Sequence, residues 1–187
     1  MIWFTSDTHF DHQNILKYTN RPWASVEDMN EGLIANWNAV VQKGDVVYHL
    51  GDFAFRRHAY FASRLNGHIN LIEGSHDKMS GKDKKAFTIL GPMHAVSGDP
   101  DIIICHYAMR VWPRSHYGTW HLYGHSHGTL PPHGYSFDVG VDAVWFSPVS
   151  WNQVALKIVD VEFEAPVDPR YPPINMIRTP NISLPND

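Results

Sequence analysis

The sequence predicts an α/β fold whose functional residues lie at the carboxyl ends of buried strands. Several short, continuous apolar runs are typical of strands that are buried on both faces of a sheet. Each run stops abruptly at polar residues of ligand type, and open α/β sheets carry their sites at such strand ends. The runs cover residues 2–5, 46–50, 69–72, 102–105 and 120–123.

Helical patterns lie between some of these runs. Ser25 is placed to cap a helix, Asp28 suits its first turn, and apolar residues follow at helical spacing. Those apolar residues are Met29, Leu33, Ile34, Trp37 and Val40. A second, shorter helix is predicted over residues 57–65. The lysine-bearing segment 79–85 is expected to be a solvated turn or a helix start rather than an anion site.

The later half of the chain, residues 102–161, is predicted to be rich in strands, with turns at 97–100 and 131–134. Residues 148–151 are expected to begin one helical turn before a strand at 154–161. Beyond Pro166, repeated prolines predict an extended segment. We therefore predict a single domain over residues 1–165, followed by a Pro-rich tail over 166–187 that packs on the domain or leaves it.

The composition fits one domain with a substantial core, because 43% of the 187 residues are hydrophobic. The formal net charge of -4 argues against a long nucleic acid or an anionic membrane as partner. One cysteine allows no intramolecular disulfide, and neither a signal-peptide core nor a run of about 20 apolar residues is found. We expect a cytoplasmic protein that is a monomer or a homodimer.

Histidine is frequent, with 13 residues against 15 lysines and arginines together. Because histidine is the commonest metal ligand, position has to separate ligands from ordinary histidines. A core role is expected for His49, which lies inside a strand run. Ordinary surface or half-buried roles are expected for His58, His68, His94 and His133.

Two pairs of candidate metal ligands stand at strand ends. Asp7 and His9 are two residues apart, a spacing that directs both side chains to one side of an extended backbone. His125 and His127 repeat the spacing between two glycines, which allow tight backbone paths. The same order along the chain includes Gly51-Asp52, Gly74-Ser75-His76-Asp77 and His106. Mixed carboxylate and imidazole ligands suit Mn, Fe, Zn, Co or Ni, whereas Ca and Mg prefer oxygen ligands.

This ordered set of motifs resembles that of the calcineurin-like metallophosphoesterase superfamily, and the short chain is most similar to its small bacterial and phage phosphoesterases. The resemblance implies a four-layer α/β/β/α sandwich with two mainly mixed β-sheets. It also implies hydrolysis of phosphomonoesters or phosphodiesters by a hydroxide held at two metal ions, with manganese the foremost candidate. The implied ligands are Asp7, His9, Asp52 and His127 for one ion, and a bridging Asp52 with His106 and His125 for the other.

The segment 75–77 carries the remaining roles that the resemblance implies. His76 would be the general acid, and Asp77 would either orient His76 or cap the following helix. Ser75 stands where the family usually has an asparagine ligand, as a natural variant or an engineered one. A hydroxyl is a shorter and weaker ligand, so the affinity of the second metal site is expected to fall. This departure keeps open a catalytically weakened metal-binding scaffold as the alternative to an enzyme.

Substrate contacts are expected just after the ligand motifs. Arg56, Tyr107, Arg110 and Trp112 follow candidate ligands closely. Arginine suits a phosphate and an aromatic ring suits a base, while plain surface and packing roles are the open alternative. A short chain leaves little room for a capping domain, so nucleotides or cyclic nucleotides are the expected substrates.

Overall fold

The computed structural model describes residues 1–159. The predicted tail over 166–187, the predicted domain boundary at 165 and the end of the predicted strand 154–161 lie outside the described residues. The strands are β1 (Ile2–Thr5), β2 (Val46–His49), β3 (His68–Leu71), β4 (Thr88–Ile89), β5 (Met93–Val96), β6 (Ile102–Cys105), β7 (Trp120–Tyr123), β8 (Ser136–Asp138) and β9 (Val149–Ser150). The α-helices are α1 (Ile15–Tyr18), α2 (Val26–Val40), α3 (His58–Ala62), α4 (Gly81–Lys84) and α5 (Trp151–Val159), and a 3-10 helix spans Ser115–Tyr117.

The strands form two mixed sheets, which confirms the predicted α/β fold class. The first sheet has the order β4-β3-β2-β1-β9, with β1 to β4 parallel and β9 antiparallel to β1. The second has the order β5-β6-β7-β8, in which only the β5–β6 pair is antiparallel. All five predicted strand runs are strands in these sheets.

The carboxyl ends of the strands meet at one edge of the molecule. In the first sheet, Thr5 pairs with His49 and His49 pairs with Leu71, so three parallel strands end at the same level. The two sheets touch at this edge, because Ser6 forms a parallel bridge with Gly140. Residues that follow β1, β2, β6 and β7 are therefore brought together.

Two hydrophobic clusters stabilise this arrangement. One lies between the first sheet and helices α2 and α3, and Trp37 is its largest fully buried side chain. The other lies between the sheets and joins Phe4 of the first sheet to Ile104 and Leu122 of the second. Fully burying one such side chain stabilises the fold by about 1.5–3 kcal/mol.

The predicted helices at 26–40 and 57–65 are present. The Ser25 hydroxyl accepts a hydrogen bond from the Asp28 N–H at 3.1 Å, which is the predicted cap of α2. Segment 79–85 contains the short helix α4, in which Ser80 and Asp83 form a capping box. No helix within residues 1–159 is both long and apolar enough to span a lipid bilayer.

The prediction of a helical turn followed by a strand at 154–161 is wrong over the described residues. The chain forms the short strand β9 and then enters the helix α5 at Trp151. Ser150 and Gln153 cap this helix reciprocally, because the Gln153 side chain accepts the Ser150 N–H and the Ser150 hydroxyl accepts the Gln153 N–H. Val154 and Ile158, four residues apart, then pack into the core between the sheets.

His121 lies on the outer face of the second sheet, where residues of the loop after β6 cover it. The Trp112 ring packs on His121 with ring centroids 5.3 Å apart. The Met109 N–H also donates to the His121 ring at 3.1 Å. The loop after β6 thus covers part of this face.

Candidate metal centre

Six side chains gather at the edge where the two sheets meet. Asp7 and His9 follow β1, Asp52 follows β2, and the three others follow β6 and β7. They form two groups, and within each the candidate ligand atoms lie within 4.8 Å of one another. The groups are Asp7, His9 and His127, and Asp52, His106 and His125. Each group is large enough and close enough to hold one metal ion.

A left-handed backbone aims most of these side chains inward. The φ angles are 58° at Asp7, 51° at His9, 55° at Asp52, 65° at His125 and 48° at His127. The extended backbone that the two-residue spacing predicted is therefore absent at both pairs. A non-glycine residue in this region costs about 1–3 kcal/mol and persists where the surrounding structure imposes it, often at functional sites. Five of the six candidate ligands carry this strain.

Two glycines allow neighbouring loops to approach the carboxylates. A Cβ atom at Gly74 would lie 2.3 Å from Asp52 Oδ1, and one at Gly124 would lie 2.3 Å from Asp7 Oδ2. Both distances are far shorter than a normal carbon–oxygen contact. Any larger residue at either position has to displace a candidate ligand.

Several inward-facing polar atoms have no hydrogen-bond partner among the described residues. These buried atoms include Asp7 Oδ1, His9 Nε2 and His106 Nε2. His9 Nε2 lies 3.8 Å from Asp7 Oδ1, too far for a hydrogen bond. An unpaired buried polar atom costs about 1–3 kcal/mol. Divalent ions would supply the missing partners, so the donor atoms fit the metal centre that the resemblance implies.

Asp52 stands between the two groups. Its Oδ2 atom is 3.7 Å from His9 Nε2 and 3.4 Å from His106 Nε2, so one oxygen faces a histidine of each group. Its Oδ1 atom accepts the His76 N–H at 2.8 Å. The Ser75 hydroxyl lies 3.2 Å from Asp52 Oδ2 and donates to this carboxylate. A carboxylate shared by two metal ions has to lie between their two groups of ligands, and Asp52 has this position.

Burial and neighbouring charges set the protonation of the centre. Burial raises the pKa of Asp7 to about 7. Burial also raises the pKa of Asp52, but the His106 ring and the His76 N–H outweigh it, so the pKa falls below its ordinary value. The pKa of His9 is lowered by burial. A nearby cation favours the ionised form of Asp7. Without a metal ion, ionising this buried carboxyl costs free energy.

Hydrogen bonds from outside the groups orient the candidate ligands. His127 Nδ1 is 2.7 Å from Asp142 Oδ2, and the Arg21 guanidinium donates to both Asp142 oxygens at 2.8 Å. Arg21 also donates to the carbonyl oxygens of Asp7 and Thr8 at 2.7 and 2.8 Å. Burial lowers the pKa of His127, but the hydrogen bond with Asp142 outweighs it and raises the pKa. Arg21 thus holds Asp7 through its backbone and His127 through Asp142.

Arg21 and Asp142 were not predicted from the sequence. Asp142 does carry the signal used for the other residues, because it is a polar residue that follows a strand closely. Arg21 carries no such signal: it is 121 residues from Asp142 along the chain and is nearly fully buried. Long-range ion pairs of this kind do not appear in local patterns.

Comparison with known proteins supports a family assignment. Over 171 residues the chain is 34% identical to the uncharacterized protein MJ1445 of Methanocaldococcus jannaschii. The match covers 85% of this chain and 91% of MJ1445. It is 25% identical to the gene 66 protein of Mycobacterium phage L5 over 81% of this chain and 91% of that protein. No protein-family model matches the sequence.

One solved structure shares the fold. The chain superposes on protein AQ665 of Aquifex aeolicus, a protein of unknown function, with a TM-score of 0.68 and 21% identity. The match covers 84% of this chain and 99% of AQ665. The two sheets carry the ordered motifs at their common edge, and these motifs form two groups that could each hold a metal ion. The chain belongs to one protein family with MJ1445.

His76 lies beside the first group with an exposed ring. Its ring centroid is 5.3 Å from that of His9, in an edge-on arrangement. Asp77 is not the cap of the following helix, and its hydrogen bonds reach the loop backbone that carries His76 rather than the His76 ring. The Asp77 carboxylate accepts the N–H groups of Asp52, Phe53 and Gly74 at 2.7 to 2.9 Å, while Ser80 caps the helix that follows. Asp77 thereby holds the two loops that carry Asp52 and His76.

Two of the other histidines are buried behind the candidate metal centre. His49 lies in the core and pairs with the Thr8 hydroxyl at 3.0 Å, which confirms its predicted core role. His58 is also buried, and its Nε2 atom lies 3.4 Å from Asp77 Oδ1. The prediction of an ordinary surface or half-buried role is wrong for His58, because its ring completes the surroundings of Asp77.

The predicted substrate-contact residues separate into two kinds. Tyr107 is exposed and its ring centroid is 4.7 Å from that of His125. Arg110 is exposed and lines a groove of about 440 Å³. Arg56 is exposed. Trp112, however, is only 8% exposed and its indole N–H donates to a carbonyl oxygen, so the expected contact with a base is wrong.

Proposed function

We propose that this protein is a calcineurin-like metallophosphoesterase, a metal-dependent hydrolase of small phosphomonoesters or phosphodiesters. The observation that carries the proposal is the position of Asp52, with one carboxylate oxygen facing both His9 and His106. Two ions that share a carboxylate are a common arrangement for in-line attack on phosphorus. The orphaned ligand atoms on either side of Asp52 support two ions rather than one.

The donor set favours transition metals. Each group combines one carboxylate with two imidazoles, which suits Mn, Fe, Zn, Co or Ni, and we propose manganese first. Bound there, two divalent ions supply positive charge to the phosphate oxygens and a nucleophile derived from water at neutral pH. The protein supplies the spacing of the groups and the exclusion of bulk water from their buried side.

His76 is proposed to protonate the leaving oxygen. Its ring stands beside the first group and makes ring contacts with neighbours but no side-chain hydrogen bond within residues 1–159. A free imidazole at the rim of the centre is in reach of a leaving group that departs from phosphate. Proton donation of this kind typically contributes about 10²-fold to 10⁴-fold to the rate.

Ser75 favours a lower metal affinity of the second group, and this is the reason for a second candidate function. Its hydroxyl donates to the Asp52 carboxylate, whereas an asparagine would place a carbonyl oxygen nearby. Donation by Ser75 withdraws negative charge from the proposed bridge. A protein with low affinity for the second ion would act as a metal-binding scaffold rather than as an efficient enzyme.

The experiment compares hydrolysis of p-nitrophenyl phosphate and bis-p-nitrophenyl phosphate by metal-stripped protein, titrated with Mn, Zn, Ni and Mg. A Ser75→Asn variant is measured in parallel. We expect metal-restored turnover, with a gain in Ser75→Asn at low metal concentration. Absence of turnover in both proteins, at metal concentrations where binding is complete, would replace the hydrolase by the scaffold.

A further inference from the structure

A cluster of rings flanks His76 and belongs to no metal group. The His12 ring centroid is 5.7 Å from that of His76 and 4.9 Å from that of Phe55, and Phe55 is 6.4 Å from His76. Tyr18 lies 6.3 Å from His12. Phe55 is 49% exposed and Tyr18 is 73% exposed, so neither ring is used mainly to fill the core. We refer to His12, Tyr18 and Phe55 as the ring ledge.

A forked ion pair fixes two members of the ring ledge relative to each other. Asp11, next to His12, accepts two hydrogen bonds of 2.6 Å from the guanidinium of Arg57, two residues after Phe55. Asn30 exchanges two further hydrogen bonds of 3.1 Å with Asp11. Bidentate pairs of this kind impose geometry as well as attraction. The loops that carry His12 and Phe55 are therefore held together before any ligand binds.

Backbone bonds and backbone strain act at the same two loops. The Phe55 N–H donates to the Phe10 carbonyl oxygen at 2.8 Å. Asp11 and Arg57 both adopt the left-handed region, with φ angles of 61° and 57°. Strain of this kind occurs where a structure imposes a particular surface, including ligand clamps. An exposed phenyl ring held this firmly is suited to binding a flat partner with little loss of conformational freedom.

The position of the ledge indicates which part of a substrate it meets. If His76 protonates the leaving oxygen, that oxygen lies within about 3 Å of the His76 ring. The atoms that follow the leaving oxygen then face the rings that flank His76. Aromatic rings attract one another at centroid separations of about 4.5–7 Å, which is the spacing already found within the ledge.

We propose that Phe55, supported by His12 and Tyr18, stacks on the base of a nucleoside leaving group, so that small nucleoside phosphates are the substrate class. The inference rests on the proposed function for the position of the phosphate. A small nucleotide fits better than a polynucleotide because the formal net charge is -4. Stacking on an aromatic ring is tolerant of base identity, so a preference for nucleosides over simple alcohols is expected rather than a strong choice of base.

The test measures equilibrium binding to manganese-loaded protein by calorimetry. The probes are the adenosine 5′-phosphonate that has carbon in place of the ester oxygen, and methylphosphonate, which has the same anionic head without a base. Phe55→Leu removes the ring and keeps an apolar side chain, whereas Phe55→Tyr keeps the ring. We expect Phe55→Leu to weaken the adenosine phosphonate by about 5-fold to 30-fold. Methylphosphonate should change by less than about twofold, and Phe55→Tyr should bind both probes as the parent does.

Either of two results would overturn the inference: equal binding of the adenosine phosphonate by parent and Phe55→Leu, or equal weakening of both probes. Binding is read without turnover, so the two proposals fail separately. A protein that binds the adenosine phosphonate through Phe55 but hydrolyses no ester contradicts the hydrolase alone. A protein that hydrolyses esters while its binding of the adenosine phosphonate ignores Phe55 contradicts the ring ledge alone.

Discussion

The His127 ring donates its Nδ1–H to the Asp142 carboxylate across 2.7 Å, and this contact fixes which nitrogen of His127 faces the first metal group. A carboxylate that holds a ligand histidine sets the ring orientation and makes the ring a better donor to a metal. The pKa of Asp142 is held below its ordinary value: burial opposes this, but His127 and Arg21 outweigh burial. The pair therefore consists of an ionised carboxylate and an imidazole oriented for metal binding.

Replacing Asp142 with asparagine is expected to weaken the first metal site. The neutral amide loses the ion pair with Arg21 and holds the His127 ring less firmly. Metal affinity should fall about 10-fold to 100-fold, as calorimetric titration with manganese can measure. Asp101→Asn is the matched control, because Asp101 pairs with Arg114 at the surface. Equal affinities in Asp142→Asn and the parent would remove Asp142 from this account.

Arg21→Gln should destabilise the fold strongly. The Arg21 side chain is fully buried, and its removal takes two charge-assisted hydrogen bonds from the buried Asp142 carboxylate and leaves the His127 ring to compensate its charge. The free energy of unfolding in urea should fall by about 3–5 kcal/mol. Arg114→Gln breaks an exposed pair with the same charges and should cost at most about 1 kcal/mol. Similar losses in both variants would show that the buried network carries no special stability.

Stability should decrease in mild acid partly because His49 is buried in its neutral form. Burial lowers the pKa of His49 from 6.5 to about 4, so between these pH values the unfolded chain binds a proton that the folded protein does not. The free energy of unfolding therefore falls as pH falls from 6.5 towards 4, with His49 contributing about 3 kcal/mol in all.

The measurement is urea unfolding of metal-free protein at several pH values in that window, for the parent and His49→Gln. The variant should have a shallower dependence on pH, whatever its stability at neutral pH. His68→Gln, at an exposed position, serves as control and should follow the parent. Parallel curves for His49→Gln and the parent would contradict the neutral, buried state of His49.

His76→Ala should separate chemistry from metal binding. The His76 ring is exposed and the structure gives it no place in either metal group, so the variant should bind manganese as the parent does. Hydrolysis of an alkyl phosphodiester, whose leaving group needs a proton, should fall about 10²-fold to 10⁴-fold. Hydrolysis of bis-p-nitrophenyl phosphate should fall less, because p-nitrophenolate leaves without a proton. If both esters are hydrolysed at the parental rate, His76 is not the acid.

The sequence predicted the metal groups because their signal is local. Each candidate ligand stands directly after an apolar strand run, and parallel strands bring those ends to one edge. The extended backbone predicted at Asp7 and His9 is wrong, because the two-residue spacing is equally compatible with two left-handed residues. The identity of the ligands did not depend on that detail.

The errors elsewhere have physical causes. Helix α5 was assigned to a strand because Val154 and Ile158 suit either periodicity, and the cap formed by Ser150 and Gln153 was overlooked. Trp112 was expected near a substrate because it follows a ligand motif, but its indole N–H finds a carbonyl partner inside the fold. The contact between Arg21 and Asp142 joins distant parts of the chain, and only the assembled sheets bring the two together.

The central claim is tested most directly by counting manganese ions per chain at equilibrium and measuring hydrolysis of bis-p-nitrophenyl phosphate in the same samples. The two candidate groups predict two ions per chain in the parent, with turnover that rises as the second ion binds. Asp52→Asn, which alters the carboxylate between the groups, should lose the second ion and the turnover together. Full turnover by metal-free protein, or two ions bound without any hydrolysis, would contradict a two-metal phosphoesterase.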